Sequence, residues 1–347
     1  MDSIENIIKS RKQRWIDLYN NDQKPGAVIF MGQNYGGRPL PYPENKSKRI
    51  EYTLNAYKIQ TDSLEYMDDD KIPFVSPYTG TEIFAGAFGC KVSYPENDMP
   101  FALPLVHNSS EAAKIKYPDL KNSPPDAIAE IFDIADKLKN SAPDALMQLP
   151  DIQSPLDIAA LIWNKEDFFA AMYEDPQAVK ELVSMTEKYL TEFLDLWFER
   201  YGTEFIAHHP DYYMPHGITF SEDEVGAISP DMFGEFSLGS LNRLSDRYGG
   251  AAGMHCCADS QHQWENFKKI KNLKLINLNL THTPDKFQKA YKYFEDTAVQ
   301  MHSGPNVDDE LFFNGKNMRV VIQDWANTKE EASEKCKRLR EKYCKSC

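Results

Sequence analysis

The stretch Gly253-Met254-His255-Cys256-Cys257-Ala258-Asp259 brings an imidazole and two thiols together. Tyr248-Gly249-Gly250 before it reads as a turn, and Ala251–Met254 as a short buried strand ending at these side chains. Alternate side chains of a strand share a face. His255 and Cys257 therefore project together, and Cys256 points the other way. Imidazole plus thiolate is zinc chemistry, because that borderline-soft ion takes nitrogen and sulfur. The same residues also read as a buried histidine beside inert core thiols, since free cysteine is often simply core. The choice depends on what other ligands the fold delivers to the same place.

Regular strand–helix alternation from Asp126 onward supplies such a fold. Helices are expected over Ala127–Asn140, from Asp175-Pro176 through Tyr201, from Ser229-Pro230 through Tyr248, across Trp264–Ile270, over Pro284–Tyr293 and over Thr328–Tyr343. Ser and Thr caps with Pro at the first helical position mark several starts. Apolar runs near 28, 86, 147, 206, 253, 275, 299 and 321 count to eight strands. Repeated strand–helix units give a parallel sheet, and eight of them favour a closed (β/α)8 barrel over an open, doubly wound sheet. One domain over 1–347 is expected, with 45–125 as an irregular, aromatic-rich excursion capping the barrel mouth. Strand-like pieces within it fall at Glu82–Phe88 and Cys90–Tyr94.

Chemistry in such barrels sits at the C-terminal ends of the strands. Those ends offer Gln33, Asn34, Arg38, His208 and Asn277 as substrate-binding candidates. His216, Glu222 and Asp223 are catalytic candidates, and His255, Cys257, His302 and Asp324 candidate metal ligands. The bland reading of the acidic run Glu222-Asp223-Glu224 is a solvated loop.

The net charge of −14 argues against nucleic acid and against an anionic membrane surface as partners. Six cysteines in 347 residues make no disulfide framework, which points to a reducing cytoplasm. The N-terminus has no apolar signal segment, and no run of about 18 apolar residues predicts a membrane span. An apolar face on the helix over 177–201 is compatible with a homodimer.

With strands and loops placed, the sequence resembles the uroporphyrinogen decarboxylase superfamily. That superfamily includes zinc-dependent, cobalamin-linked methyltransferases acting on thiols such as coenzyme M. The resemblance rests on Val28–Gln33 followed by Gly37-Arg38-Pro39-Leu40-Pro41-Tyr42, on Ala87-Phe88-Gly89-Cys90, and on Ser154-Pro155-Leu156-Asp157-Ile158-Ala159. Met172-Tyr173-Glu174-Asp175-Pro176, the run from Ile228 to Phe236 and His255-Cys256-Cys257 extend it over about residues 27 to 343. It implies a TIM barrel.

The decarboxylase branch implies an Arg pair and a buried Asp. Here Gly32 stands at the first Arg position, two residues are inserted before Arg38, and no matching Asp is found in Glu82–Cys90. A polycarboxylate needs charge-assisted pairing, so uroporphyrinogen decarboxylation itself is not expected. The methyltransferase branch implies His255 and Cys257 as two zinc ligands. Its third, a Cys, falls within Gln323–Ala326, which holds none. Asp324 is the nearest substitute, with His302 and His282 as rivals and Glu222, Asp223 or Glu224 as further ligands or orienting groups; Cys336 lies too far into the last helix. The implied reaction passes a methyl group from a corrinoid on a partner protein to a zinc-activated thiol. Two alternatives stay open. One is a metal-free decarboxylase-type lyase acting on a tetrapyrrole or, more readily, a smaller carboxylate through Arg38, Gln33 and His216. The other is a non-catalytic corrinoid-binding subunit.

Overall fold

Val28, Ile29 and Met31 are buried within a seven-residue strand, β1 (Gly26–Gly32), which starts the main sheet. The computed structural model describes residues 3–21, 24–281 and 286–344. Along the chain follow β2 (Phe74–Val75), β3 (Leu146–Met147), β4 (Phe205–Ile206), β5 (Ile218–Ser221), β6 (Ala252–Cys256), β7 (Leu273–Leu278), β8 (Val299–Gln300) and β9 (Arg319–Trp325). Six of these form one sheet in the order β1-β9-β8-β7-β6-β5. Every neighbouring pair in it is parallel, so all six C-terminal ends lie on one side.

The sheet does not close into the expected eight-stranded barrel. Its open side carries the separate parallel pair β2–β3 and single bridges Gln148↔Ile206 and Gln153↔Ser221. Composition explains the gap. Pro73 and Pro77 bracket β2, and Pro150 and Pro155 follow β3. Proline has no N–H to donate, so a ladder cannot run through these positions.

Two further expectations are corrected. Glu82–Ala87 is a helix, and the strand of this region is Phe74–Val75. Ile83, Phe84, Ala85 and Ala87 are all buried, so this short helix lacks the polar face that separates a helix from a buried strand. The helix expected through Tyr248 is two helices, Pro230–Phe236 and Leu238–Arg247, interrupted at Ser237. The hydroxyl of Ser237 is drawn inward to donate to Glu222 Oε2 at 2.7 Å.

The segment 45–125 is more ordered than expected. It holds the helix Lys46–Ser63 and a small antiparallel pair, Val92–Ser93 with Phe101–Ala102. The helix Pro176–Tyr201 turns its apolar face, including Leu190, Phe193 and Trp197, into the protein's own core. That face is therefore not free for a second copy. At the other edge, buried Asp69 pairs with Arg11 at 2.5 Å, and buried Asp70 accepts from Ile29 N and pairs with Arg340 at 3.0 Å. These contacts tie β1 to the first and last helices.

Candidate metal centre and its cavity

Strand register places the first ligand. Ser221, His255 and Asn277 lie side by side on β5, β6 and β7. His255 Nδ1 is 2.5 Å from Asn277 Oδ1, and Asn277 Nδ2 donates to Met301 O. The amide nitrogen is thus committed as donor and its oxygen as acceptor. His255 therefore carries its proton on Nδ1 and keeps the Nε2 lone pair for a ligand bond.

The second ligand comes from the turn after β5. Asp157 sits in the first turn of the helix Pro155–Ile162, which Ser154 caps. Its carboxylate is buried and accepts from the backbone N–H groups of Asp223 (2.7 Å) and Glu224 (3.0 Å). Burial, reinforced by Glu222 and Asp223, holds Asp157 well above the usual carboxylate range. Asp223 Oδ1 in turn accepts from Cys257 N at 2.5 Å, so the backbone of one candidate ligand orients the side chain of another.

Among the described residues, Asp223, His255 and Cys257 bring three potential ligand atoms within 4.8 Å of one another. Oxygen, nitrogen and sulfur together suit zinc. Burial, then the Asp223 charge, pushes the Cys257 thiol up to about 12, so a cation here would favour its deprotonation. The expected parity holds: Cys256 is buried on the other side and its Sγ faces Ala258 O.

The centre opens into a cavity of about 490 Å³ whose walls include Asp151, Gln153, His208, Ser221, Asp223 and His255. A neighbouring lobe of about 420 Å³ shares Arg38, Ser76 and Asp211 with it and adds Gln33, Asn34, Lys71 and Trp325. Arg38 stacks on Tyr78, 4.1 Å from the ring centroid. Lys71 Nζ is 4.7 Å from the Phe30 ring centroid and 3.1 Å from the Tyr35 hydroxyl. Gly32 lies beneath Trp325, where a Cβ would fall 2.3 Å from the indole. The position that the sequence resemblance aligns with a decarboxylase Arg is thus packed under an aromatic ring.

Sequence-predicted residues divide into those the fold gathers and those it separates. Gln33, Asn34 and Arg38 line the second lobe, and His208 lines the first. Asn277 stands behind His255 as its orienting partner. Glu222 is buried against Ser237, away from the cavity walls, and burial raises its carboxyl. His216 lies beside Ala251 and Lys274, at the N-terminal ends of the strands, so it cannot join His255.

His302 is fully buried with both nitrogens engaged: Nδ1 accepts from Leu278 N at 3.1 Å, and Nε2 faces Gln300 Oε1 at 3.0 Å. It has no lone pair left for a metal. Asp324 shares a strand face with Val320 and Ile322, which pack toward the last helix, Lys329–Tyr343. There it pairs with Lys335 at 3.2 Å, not with the His–Cys pair. His282 lies outside the described residues. Asp211, a strand-end residue of the fourth strand, lines both lobes, whereas Asp151 and Lys71 were not anticipated. Asp151 follows β3 just as Asp223 follows β5, so the strand-end rule applied to the third strand reaches it.

No helix of the described residues is long and apolar enough to cross a membrane. The fold is similar to that of a methyltransferase from Methanosarcina mazei, with a TM-score of 0.63 at 11% sequence identity, over 97% of this chain and 98% of that one. A comparison with curated proteins finds no match. The family model for uroporphyrinogen decarboxylase (URO-D) matches residues 55–317. With about three-quarters of its length matched, the chain belongs to the uroporphyrinogen decarboxylase (URO-D) family.

Proposed function

We propose that this chain is a zinc-dependent methyltransferase that moves a methyl group from a corrinoid, carried by a partner protein, to a small thiol in the cytoplasm. The observation that carries the reading is the Asp223–His255–Cys257 cluster at the edge of the main cavity. Fold similarity to a methyltransferase supports it. In this reading the sheet and its bridged strands act as an incompletely laddered (β/α)8 barrel, with the candidate centre at its C-terminal mouth.

Zinc held there would supply the Lewis acidity that turns a thiol into a thiolate at neutral pH. The chain's own residues do the rest. Asn277 fixes the His255 tautomer, and Asp157 fixes the turn that presents Asp223. Main-chain N–H of Cys257 holds the Asp223 carboxylate toward the same point. Asp151 and His208 face the same space, and the adjoining lobe receives the remainder of the acceptor.

A second reading, a lyase acting on a carboxylate, draws support from Arg38 and Lys71. Neither makes a carboxylate ion pair within 4.0 Å among the described residues, although both line the second lobe. Metal content of the reduced protein separates the two. About one zinc per chain, retained in Asp324→Ala and lost in His255→Ala and Cys257→Ser, supports the methyltransferase. Metal-free protein after zinc repletion, with both variants folded, rejects it and leaves the lyase.

A further inference from the structure

We propose that Asp151 is the base that takes the proton from the acceptor thiol, with Gln153 holding its carboxylate in position. The inference rests on the methyl-transfer reading and assigns a step which that reading leaves without a residue. The acceptor S–H bond breaks, and its electron pair stays on sulfur. The S–C bond forms from that pair, the methyl–cobalt bond breaks with its pair left on the corrinoid, and the proton goes to Asp151 Oδ2.

Asp151 stands out by what its neighbours have already committed. Asp223 and His255 are assigned to the metal. Asp211 Oδ1 accepts from Gln148 Nε2 at 2.7 Å, and its charge acts on Lys71 in the second lobe. Glu222 is turned away to Ser237. Burial holds His208 and His209 below the ordinary imidazole range, which makes them poor proton acceptors.

By its side chain, Asp151 is held through Oδ1 alone. Its N–H donates to Thr79 Oγ1 at 2.9 Å, and its Oδ1 accepts from Gln153 Nε2 at 2.5 Å. His208 Nε2 lies 3.5 Å from the same Oδ1 and 3.0 Å from Ser221 Oγ. Oδ2 is left toward the cavity that Asp223 and His255 also line. Burial raises the Asp151 carboxyl to about 7 against the Gln153 hydrogen bond, with the Asp223 charge adding to the rise. A carboxylate so placed is a stronger base than one on the surface, and its proton affinity is matched to neutral solution.

The test is an infrared difference measurement on zinc-loaded protein before and after addition of 2-mercaptoethanol. The wild type should gain the carbonyl band of a protonated carboxyl. Asp151→Asn should bind the same zinc but show no such band, and Asp151→Glu should restore it. Methyl transfer to the same thiol should fall at least about 100-fold in kcat for Asp151→Asn, with KM nearly unchanged. Gln153→Ala guards against a folding failure of Asp151→Asn. Without the donor on Oδ1 the carboxyl is protonated before the thiol arrives, so the band is present throughout and does not grow. A band that persists in Asp151→Asn, or zinc and thiol bound by the wild type with no band, overturns the assignment while leaving the methyl-transfer reading intact. Failure of the wild type to hold zinc defeats both.

Discussion

His255 on β6 and Asn277 on β7 are in-register neighbours, and their side chains meet at 2.5 Å through Nδ1 and Oδ1. The pair converts a strand alignment into a chosen tautomer. The ring nitrogen left over belongs to the residue that also stands within 4.8 Å of Asp223 and Cys257.

Asn277→Leu should weaken zinc binding by about 10- to 100-fold, because the ring loses its orienting acceptor while the three ligands remain. Competition with a colorimetric chelator reads this directly. An unchanged affinity would mean that β6 alone orients His255.

Asp157→Ala tests the support beneath Asp223. The substitution strands two backbone N–H groups, those of Asp223 and Glu224, under a helix turn. Each costs about 1–3 kcal/mol when buried without a partner, partly offset by relief of a desolvated carboxyl. A net loss of about 2 kcal/mol in urea denaturation, together with weaker zinc binding, is expected. Asp157→Asn keeps one acceptor and should lose about half as much. Equal stability for wild type and Asp157→Ala would show that the turn holds itself.

Local periodicity made the His255–Cys257 pair legible, because strand parity depends only on neighbouring residues. It also made Asp223 legible as a strand-end acid. What no local signal carried was which face of each distant strand meets that pair. Asp324 sits at a strand end, yet its parity with Val320 and Ile322 sends it to the last helix. His302 is also at a strand end, and only the tertiary structure reveals that Leu278 and Gln300 consume both its nitrogens. The open side of the sheet was illegible for a related reason. β2 and β3 are two-residue strands between prolines, held by partners more than 70 residues apart, and such pairing leaves no period in the sequence.

Gly32→Ala probes the floor of the second lobe. The new methyl group would lie 2.3 Å from the Trp325 ring, which is half exposed and tethered only by its indole N–H to Asn327 Oδ1 at 3.3 Å, so it can swing outward. Displacement of the indole, not unfolding, is the expected response, with a stability change below about 1 kcal/mol. Tryptophan emission should shift in Gly32→Ala, and the shift should vanish when Trp325→Phe is added. An unfolded Gly32→Ala would mean that Trp325 is held in place more firmly than its exposure indicates.

His302 sets an acid limit on the fold. The unfolded chain protonates this residue near the ordinary imidazole value of 6.5, whereas burial holds it down to about 3 in the folded protein. Between those values the unfolded state binds the additional proton. Stability conferred by the neutral ring is therefore complete above about pH 6.5 and is lost as pH falls, by up to about 1.4 kcal/mol per unit. Below about pH 3 the folded state binds the proton as well, and the loss levels off. His302→Gln removes this proton linkage while keeping an acceptor for Leu278 N. It should cost about 1–2 kcal/mol at pH 7 through lost packing against Tyr291, since the two rings meet edge to face at 4.9 Å. Its stability should then decline less steeply in acid, so that the two proteins become equally stable near about pH 5 to 5.5. Urea midpoints measured across that range decide the matter. Parallel curves would mean that His302 takes up its proton in the folded state after all, and with it a water or carboxylate that the buried ring does not show.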